Sequence, residues 1–207
     1  MVKRMVQSVA AHAPKAFILI ASNIVNSAVP LAAEVLKEKG VYDPKKLFGM
    51  TSFEVSVVKS IVRQVLQTNL VDVPVCAFLS KTKPSLNYTE EEMEKLAVKI
   101  QYEVSFAKSG FGTFSLLTAH AVEAFLSSLL RALDGVEDVY EFAFVASTVT
   151  ELPYFASRVK LGKNGIEAVI DPDLHGLAKY EEKALEALKT KLKASIEKGI
   201  AFAAEGN

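Results

Sequence analysis

Val2, Met5, Val6 and Val9 recur at the spacing that places side chains on one helical face. That spacing predicts a helix over Val2–His12, stopped by Pro14. Phe17–Ala21 is a continuous apolar run between turn signals, the pattern of a parallel strand covered on both faces. Ser27–Lys39 should be a second helix, with Pro30 in its first turn and Gly40 as its C-terminal cap. Lys46–Gly49 reads as another short buried strand. Helix, strand, helix, strand over the first fifty residues is α/β order.

Beyond Thr51 the pattern changes. Thr51–Leu66 should be helical, with Val55, Val58, Val62 and Leu66 on one face, and Val71–Leu79 a strand interrupted by Pro74. Thr89-Glu-Glu-Glu92 forms a capping box at the head of a long helix, whose inner stripe is Met93, Leu96, Ile100, Val104 and Ala107. Ser115–Leu133 reads as a largely buried helix. Val139–Ala146, Tyr154–Leu161 and Gly165–Val169 read as strands, the last two joined by a Gly-Lys-Asn-Gly turn. Lys179–Ala203 should be an amphipathic helix with Leu185, Leu188, Leu192, Ile196 and Ile200 facing inward. The two patterns meet near Gly49–Thr51, and there is no internal repeat.

Composition narrows the function classes. Among 207 residues, 24 are basic and 24 acidic, so no net field attracts phosphate backbones or anionic lipid. Neither nucleic acid nor a membrane is an expected partner. No run approaches the ~18 apolar residues of a membrane span, and the N-terminus carries no apolar block typical of a secretory signal. A soluble intracellular protein is expected. A single cysteine, Cys76, excludes an internal disulfide.

Few residues suggest independent chemistry. His120 falls in an apolar helix and reads as packed or capped, with a relocated base as the alternative. His120 and Glu123 share one helical face but lack a third metal ligand, so no metal is expected. His175 lies in a Pro-Asp-Leu-His-Gly loop and should be solvated. Lys81 and Lys83 could attract an anion, but the plain reading, a solvated loop, is favoured over it. Cys76 sits on an apolar strand with no base beside it, and reads as inert packing. Gly110-Phe-Gly112 falls between two helices rather than between a strand and a helix, and suits a junction rather than a phosphate cradle.

Ala13-Pro-Lys-Ala16, Ser22-Asn-Ile-Val-Asn-Ser27 and Gly40-Val-Tyr42 resemble the "HAPKA…SNPVNS…KGVY" segments of the malate dehydrogenases of mitochondrial, glyoxysomal and bacterial type. Leu47-Phe-Gly-Met-Thr51, Val73-Pro-Val75, Ala107-Lys-Ser-Gly-Phe-Gly112 and Leu161-Gly-Lys-Asn-Gly-Ile-Glu167 resemble the same family in the same order. The resemblance covers essentially the whole chain. It implies an α/β remnant of a Rossmann domain over residues 1–50, followed at 51–207 by the α+β substrate domain of the lactate/malate dehydrogenase family. Set against that plan, the chain begins late, without roughly the first hundred residues that carry the dinucleotide fingerprint. No G-x-G-x-x-G occurs in it. NAD is the family's cofactor, and none is expected in this chain.

Reduction of a keto acid needs a proton donor beside the carbonyl, a carboxylate to hold that donor, and arginine forks for the substrate carboxylates. In the family the donor is the histidine of a Gly-Gly-His segment. The matching residues here are Ala77, Phe78 and Leu79, and leucine exchanges no proton. The family's carboxylate and arginine lie in a T-T-L-D-x-x-R pattern that here reads Thr51-Ser-Phe-Glu54-Val-Ser-Val57, with Glu54 one methylene longer and no guanidinium at Val57. Asn23 and Thr113 remain at positions the family places near cofactor and substrate, although the proline after the asparagine is Ile24 here. His12 matches a non-catalytic position. No catalytic residue is therefore intact, and the resemblance implies a malate dehydrogenase-like protein without catalysis of its own, acting as a structural or regulatory partner. The alternative is a fragment or divergent form of a working NAD-dependent malate dehydrogenase. The expected partners are a second copy or an intact malate dehydrogenase paralogue, through the Thr51–Leu66 face and the open edge of the Phe17–Ala21 strand. Mitochondrial, glyoxysomal or glycosomal, and cytoplasmic locations stay open.

Overall fold

The computed structural model describes residues 1–51, 111–170 and 179–205, together with Glu91, Lys95, Val98, Lys99 and Tyr102. In order, the elements are α1 (Val2–His12), β1 (Ile18–Ile20), α2 (Val25–Glu38), a single 3₁₀ turn (Pro44–Lys46), β2 (Leu47–Met50), α3 (Phe111–Leu133), β3 (Val139–Ala146), β4 (Tyr154–Gly162), β5 (Gly165–Ile170) and α4 (Lys179–Ala204).

The five strands form one mixed sheet in chain order. β1 and β2 run parallel, with Ile18 opposite Leu47 and Ile20 opposite Gly49. β2 then pairs antiparallel with β3 through Gly49–Phe144 and Met50–Ala143. The β3–β4–β5 meander completes the sheet. The amino-terminal α/β segment and the carboxyl-terminal strands therefore share one hydrogen-bonded layer.

Helices cover both faces. On one side α2 carries Ala28, Val29, Leu31, Ala32, Val35 and Leu36 into a core with Ile20, Leu47, Phe144, Tyr154, Leu192 and Ile196. On the other side α3 presents Phe125, Leu129 and Ala132 to Phe48, Val139, Ala143, Val145, Val159 and Leu161. Phe48 and Phe125 meet edge to face, with ring centres 5.4 Å apart. Burying side chains of this size stabilises by about 1.5–3 kcal/mol each, so these contacts anchor α3 to the sheet.

Local signals place most boundaries. α1 spans Val2–His12 as the periodicity predicts. At the end of α2, Gly40 takes φ +69°, its N–H donates to Lys37 O, and the Val41 N–H donates to Leu36 O. This pairing closes the last turn, and a glycine tolerates the left-handed conformation it requires. In the β4–β5 hairpin, Gly162 faces Gly165 and the latter has φ +98°.

Several expectations are corrected. α2 begins at Val25 rather than Ser27, which puts buried Pro30 in the second turn. The stretch before β2 winds as a 3₁₀ turn because the Asp43 carboxylate accepts from the Lys45 N–H at 3.0 Å, so Lys46 lies outside the strand. α3 spans Phe111–Leu133, so it takes in four residues before Ser115. It is amphipathic rather than largely buried: Leu126 and Leu130 are 41 % and 60 % exposed. Along α4, Leu192 and Ile196 are buried, but Leu188 and Ile200 face solvent, and Gly199 and Ala203 take the inward positions instead. Glu91, Lys95, Val98, Lys99 and Tyr102 are helical and exposed, one face of the helix expected there. Its inner stripe, the Thr51–Leu66 helix beyond Thr51, and the Val71–Leu79 strand lie outside the described residues.

Candidate functional site

The carboxyl ends of parallel strands, where the chain turns into a helix, are the ligand-facing edge of an open α/β sheet. Here that edge is the Ala21–Ile24 loop between β1 and α2. Asn23 sits in its turn with an exposed side chain. The Ile24 N–H donates to Ser22 Oγ at 3.3 Å, a bond that a proline at this position could not make. The Ile24 side chain is itself 63 % exposed. Isoleucine at this position thus allows the loop a local Ser-to-backbone tie.

Asn23 is the one site residue expected from sequence whose side chain the structure places. Thr113 is the third residue of α3, near its amino terminus, where the backbone alone is described. Glu54, Val57 and Leu79 lie outside the described residues, as do Cys76, Lys81, Lys83 and His175.

The other histidines carry no site. His12 is exposed, with Nδ1 2.9 Å from the Ser8 carbonyl one turn earlier. His120 is not packed or capped as expected. Its side chain is 71 % exposed, and its Nδ1 lies 3.9 Å from Glu123 Oε2. α3 turns Ala121 and Phe125 inward, which rotates His120 to solvent. Among the described residues no three metal-ligating side chains converge.

Two hollows remain. One, of about 370 Å³, lies between the β3–β4 loop and α4, over Leu152 and Ile196. Its most enclosed cation, Lys189, bonds Glu186 at 2.8 Å and Glu151 at 3.3 Å. The bond to Glu186 is the main reason the Lys189 ammonium titrates above its ordinary value. Glu151 is shifted the other way, first by a backbone hydrogen bond and then by Lys189. The charges here satisfy one another. The second hollow, of about 260 Å³, opens at the amino ends of β1 and β2, among Ala13, Ile18, Tyr42, Asp43 and Lys46. It is at the opposite end of the strands from Asn23.

Sequence reasoning missed one polar pair. The Tyr42 and Tyr154 hydroxyls face each other, and both are held above the ordinary tyrosine range, chiefly by burial. Lys37 Nζ lies 5.3 Å from the Tyr42 ring centre, and the Tyr154 ring stacks on Phe144 at 6.2 Å. No local pattern links a residue after α2 to the first residue of β4, so no sequence signal pointed to the pair.

Residues 63–203 match the lactate/malate dehydrogenase, alpha/beta C-terminal domain. The chain belongs to that family. Among lactate/malate dehydrogenase relatives, it is 56 % identical to the chloroplastic malate dehydrogenase of Arabidopsis thaliana, over 98 % of this chain and 54 % of that protein. It is 44 % identical to the mitochondrial malate dehydrogenase of Citrullus lanatus, over 98 % of this chain and 62 % of that protein. The chain thus spans between half and two thirds of these relatives. The malate dehydrogenase structure from Cryptosporidium parvum superposes with a TM-score of 0.69 at 17 % identity, covering 95 % of this chain and 67 % of the other. That from Aeropyrum pernix gives 0.67 at 12 %. Both structures show the shared fold. Relatives named chloroplastic, mitochondrial, glyoxysomal and peroxisomal all match, and among the described residues no helix is long and apolar enough to cross a membrane.

The family's dinucleotide needs a glycine-rich strand-to-helix turn to receive its pyrophosphate and an acidic residue for its ribose. These 207 residues hold no G-x-G-x-x-G, and the β1–α2 loop offers Ser22 and Asn23 instead.

Proposed function

We propose that this polypeptide is a malate dehydrogenase-like protein without dehydrogenase activity of its own, acting as a structural or regulatory partner. Leu79 carries the reading. It occupies the position matching the family's catalytic histidine, and an aliphatic side chain neither gives nor takes a proton. Val57 at the substrate-arginine position and Glu54 at the aspartate position support it, since carboxylate recognition needs the planar fork of a guanidinium. In this reading residues 1–50 are the last part of a Rossmann domain and 51–207 the substrate domain, no cofactor is bound, and the partner is a second copy or an intact paralogue in a soluble intracellular compartment. The test is NADH-dependent reduction of oxaloacetate by the purified chain. No turnover above background is expected, and a kcat in the ordinary range of ~1–10³ s⁻¹ would overturn the reading.

One observation favours a second reading, a divergent NAD-dependent malate dehydrogenase interconverting malate and oxaloacetate: 56 % identity to a chloroplastic malate dehydrogenase over nearly the whole chain. It requires proton transfer by a residue other than Leu79. The same assay, repeated across pH, separates the two readings.

A further inference from the structure

α4 carries two unlike flanks on either side of the stripe that α2 buries. On one flank the charges satisfy one another: Lys189 bonds Glu186 and Glu151, and Lys193 lies 4.0 Å from Glu197. On the other, Ala184, Leu188, Lys191, Ser195, Lys198 and Phe202 recur at steps of four and three residues. Ser195 is half-buried and the other five are exposed, Leu188 by 47 % and Phe202 by 51 %. Lys191 and Lys198 form no ion pair among the described residues. Ser195 Oγ donates to the Lys191 carbonyl at 3.1 Å, so its hydroxyl is satisfied within the helix. No acid stands in this line from Ala184 to Phe202.

Such spacing suits a helical neighbour. A repeat of 3.5 residues keeps one line of side chains facing a second helix over several turns. At ~1.5 Å per residue the line is about 27 Å long. It is one side chain wide, which matches a helix better than the plane of a bilayer. Leu188 and Phe202 supply apolar anchors, Ala184 and Ser195 permit close approach, and the two unpaired ammonium groups call for carboxylates opposite them. A second copy of this chain is a poor occupant, since pairing the two lines in register, parallel or antiparallel, sets lysine against lysine. We propose that this flank of α4 docks an acidic amphipathic helix of another protein, its apolar seam on Leu188 and Phe202 and its carboxylates against Lys191 and Lys198. The surface is separate from the association faces named above, and it holds whether or not the chain turns over oxaloacetate.

A designed peptide tests the proposal on the full chain. The probe is a fluorescein-labelled helix of roughly three heptads, with leucine at its seam positions and glutamate beside them. Its control carries lysine in place of every glutamate. Fluorescence anisotropy should show micromolar binding of the acidic peptide, weakening as salt rises. The basic peptide should bind about tenfold more weakly or worse. Joint reversal, Lys191→Glu with Lys198→Glu, should weaken the acidic peptide about tenfold or more and turn the preference to the basic one. A misfolded variant could not produce that exchange of preference. Phe202→Ser should weaken both peptides alike, and Lys183→Glu, exposed but off the line, should change little. The proposal is overturned if neither peptide binds, if both bind equally, or if the joint reversal leaves the preference unchanged. It is also overturned if the chain ignores the peptides but binds phosphatidylglycerol vesicles through the same two lysines, which would assign the flank to a lipid surface.

Discussion

Gly199 on α4 packs directly against the backbone of Ser27 on α2, so closely that a Cβ at Gly199 would sit 2.1 Å from the Ser27 carbonyl oxygen. The two helices share the core formed by Ala28, Leu31, Ala32, Leu192 and Ile196. A glycine inside a helix costs about 1 kcal/mol relative to alanine. Here the cost is offset by an approach that no side chain would permit.

Gly199→Ala should therefore destabilise, despite its better helix propensity. The obstructing atom is backbone and cannot swing aside, so a loss of about 1–3 kcal/mol is expected from overpacking. Urea unfolding would measure it, and a stabilised variant would show that α4 can shift along α2. At Gly49 on β2 a Cβ would fall 2.4 Å from Val25 Cγ2, so there the obstruction is a side chain rather than backbone.

Ser157 gives a change of opposite sign. It is 8 % exposed on β4, and its Oγ makes no hydrogen bond. A buried hydroxyl without a partner costs about 1–3 kcal/mol. Ser157→Ala should raise the melting temperature, and a fall would mean that the hydroxyl finds a partner in solution.

The tyrosine pair sets an alkaline limit. Burial, and then the neighbouring Tyr154, hold the Tyr42 hydroxyl above its ordinary value. The folded state thus keeps its proton where the unfolded chain has lost it, and stability falls as pH rises through about 10 and beyond. Below the unfolded pKa this contribution is fully present. Melting curves from about pH 9 to about pH 11 should show the loss. Tyr42→Phe should make that decline shallower.

Restoring one group should not restore a reaction. Leu79→His returns a titratable imidazole but leaves Val57 without its guanidinium, and groups that act as a unit fail together, so restoring one of them does not recover the rate. Oxaloacetate reduction by the single variant should stay undetectable. Calorimetry with NADH should give no dissociation constant tighter than about a millimolar. A micromolar value would revive the enzyme reading.

Much of this fold was legible because its signals are local. The α1 stripe, the Gly40 cap and the glycine-framed β4–β5 turn depend on residues within a few positions of one another. That Leu79 carries no titratable group is equally local, since it follows from residue identity. Asn23 could be placed in a loop, but the tie from Ile24 to Ser22 is a matter of backbone geometry.

Tertiary structure decided which parts of each apolar stripe were covered. At about 1.5 Å per residue, the 26-residue α4 is nearly twice as long as the 14-residue α2 it packs on. Leu188 and Ile200 keep the helical spacing of an inner stripe and yet face solvent, while Gly199 touches Ser27. His120 turned outward because α3 rotates Phe125 onto Phe48. Periodicity tells a helix which side is apolar, but only the partner's length, rotation and closeness determine what that side meets. For the same reason the sequence by itself determined the family and the type of each described helix and strand, and the packing alone joined Tyr42 to Tyr154 and β2 to β3.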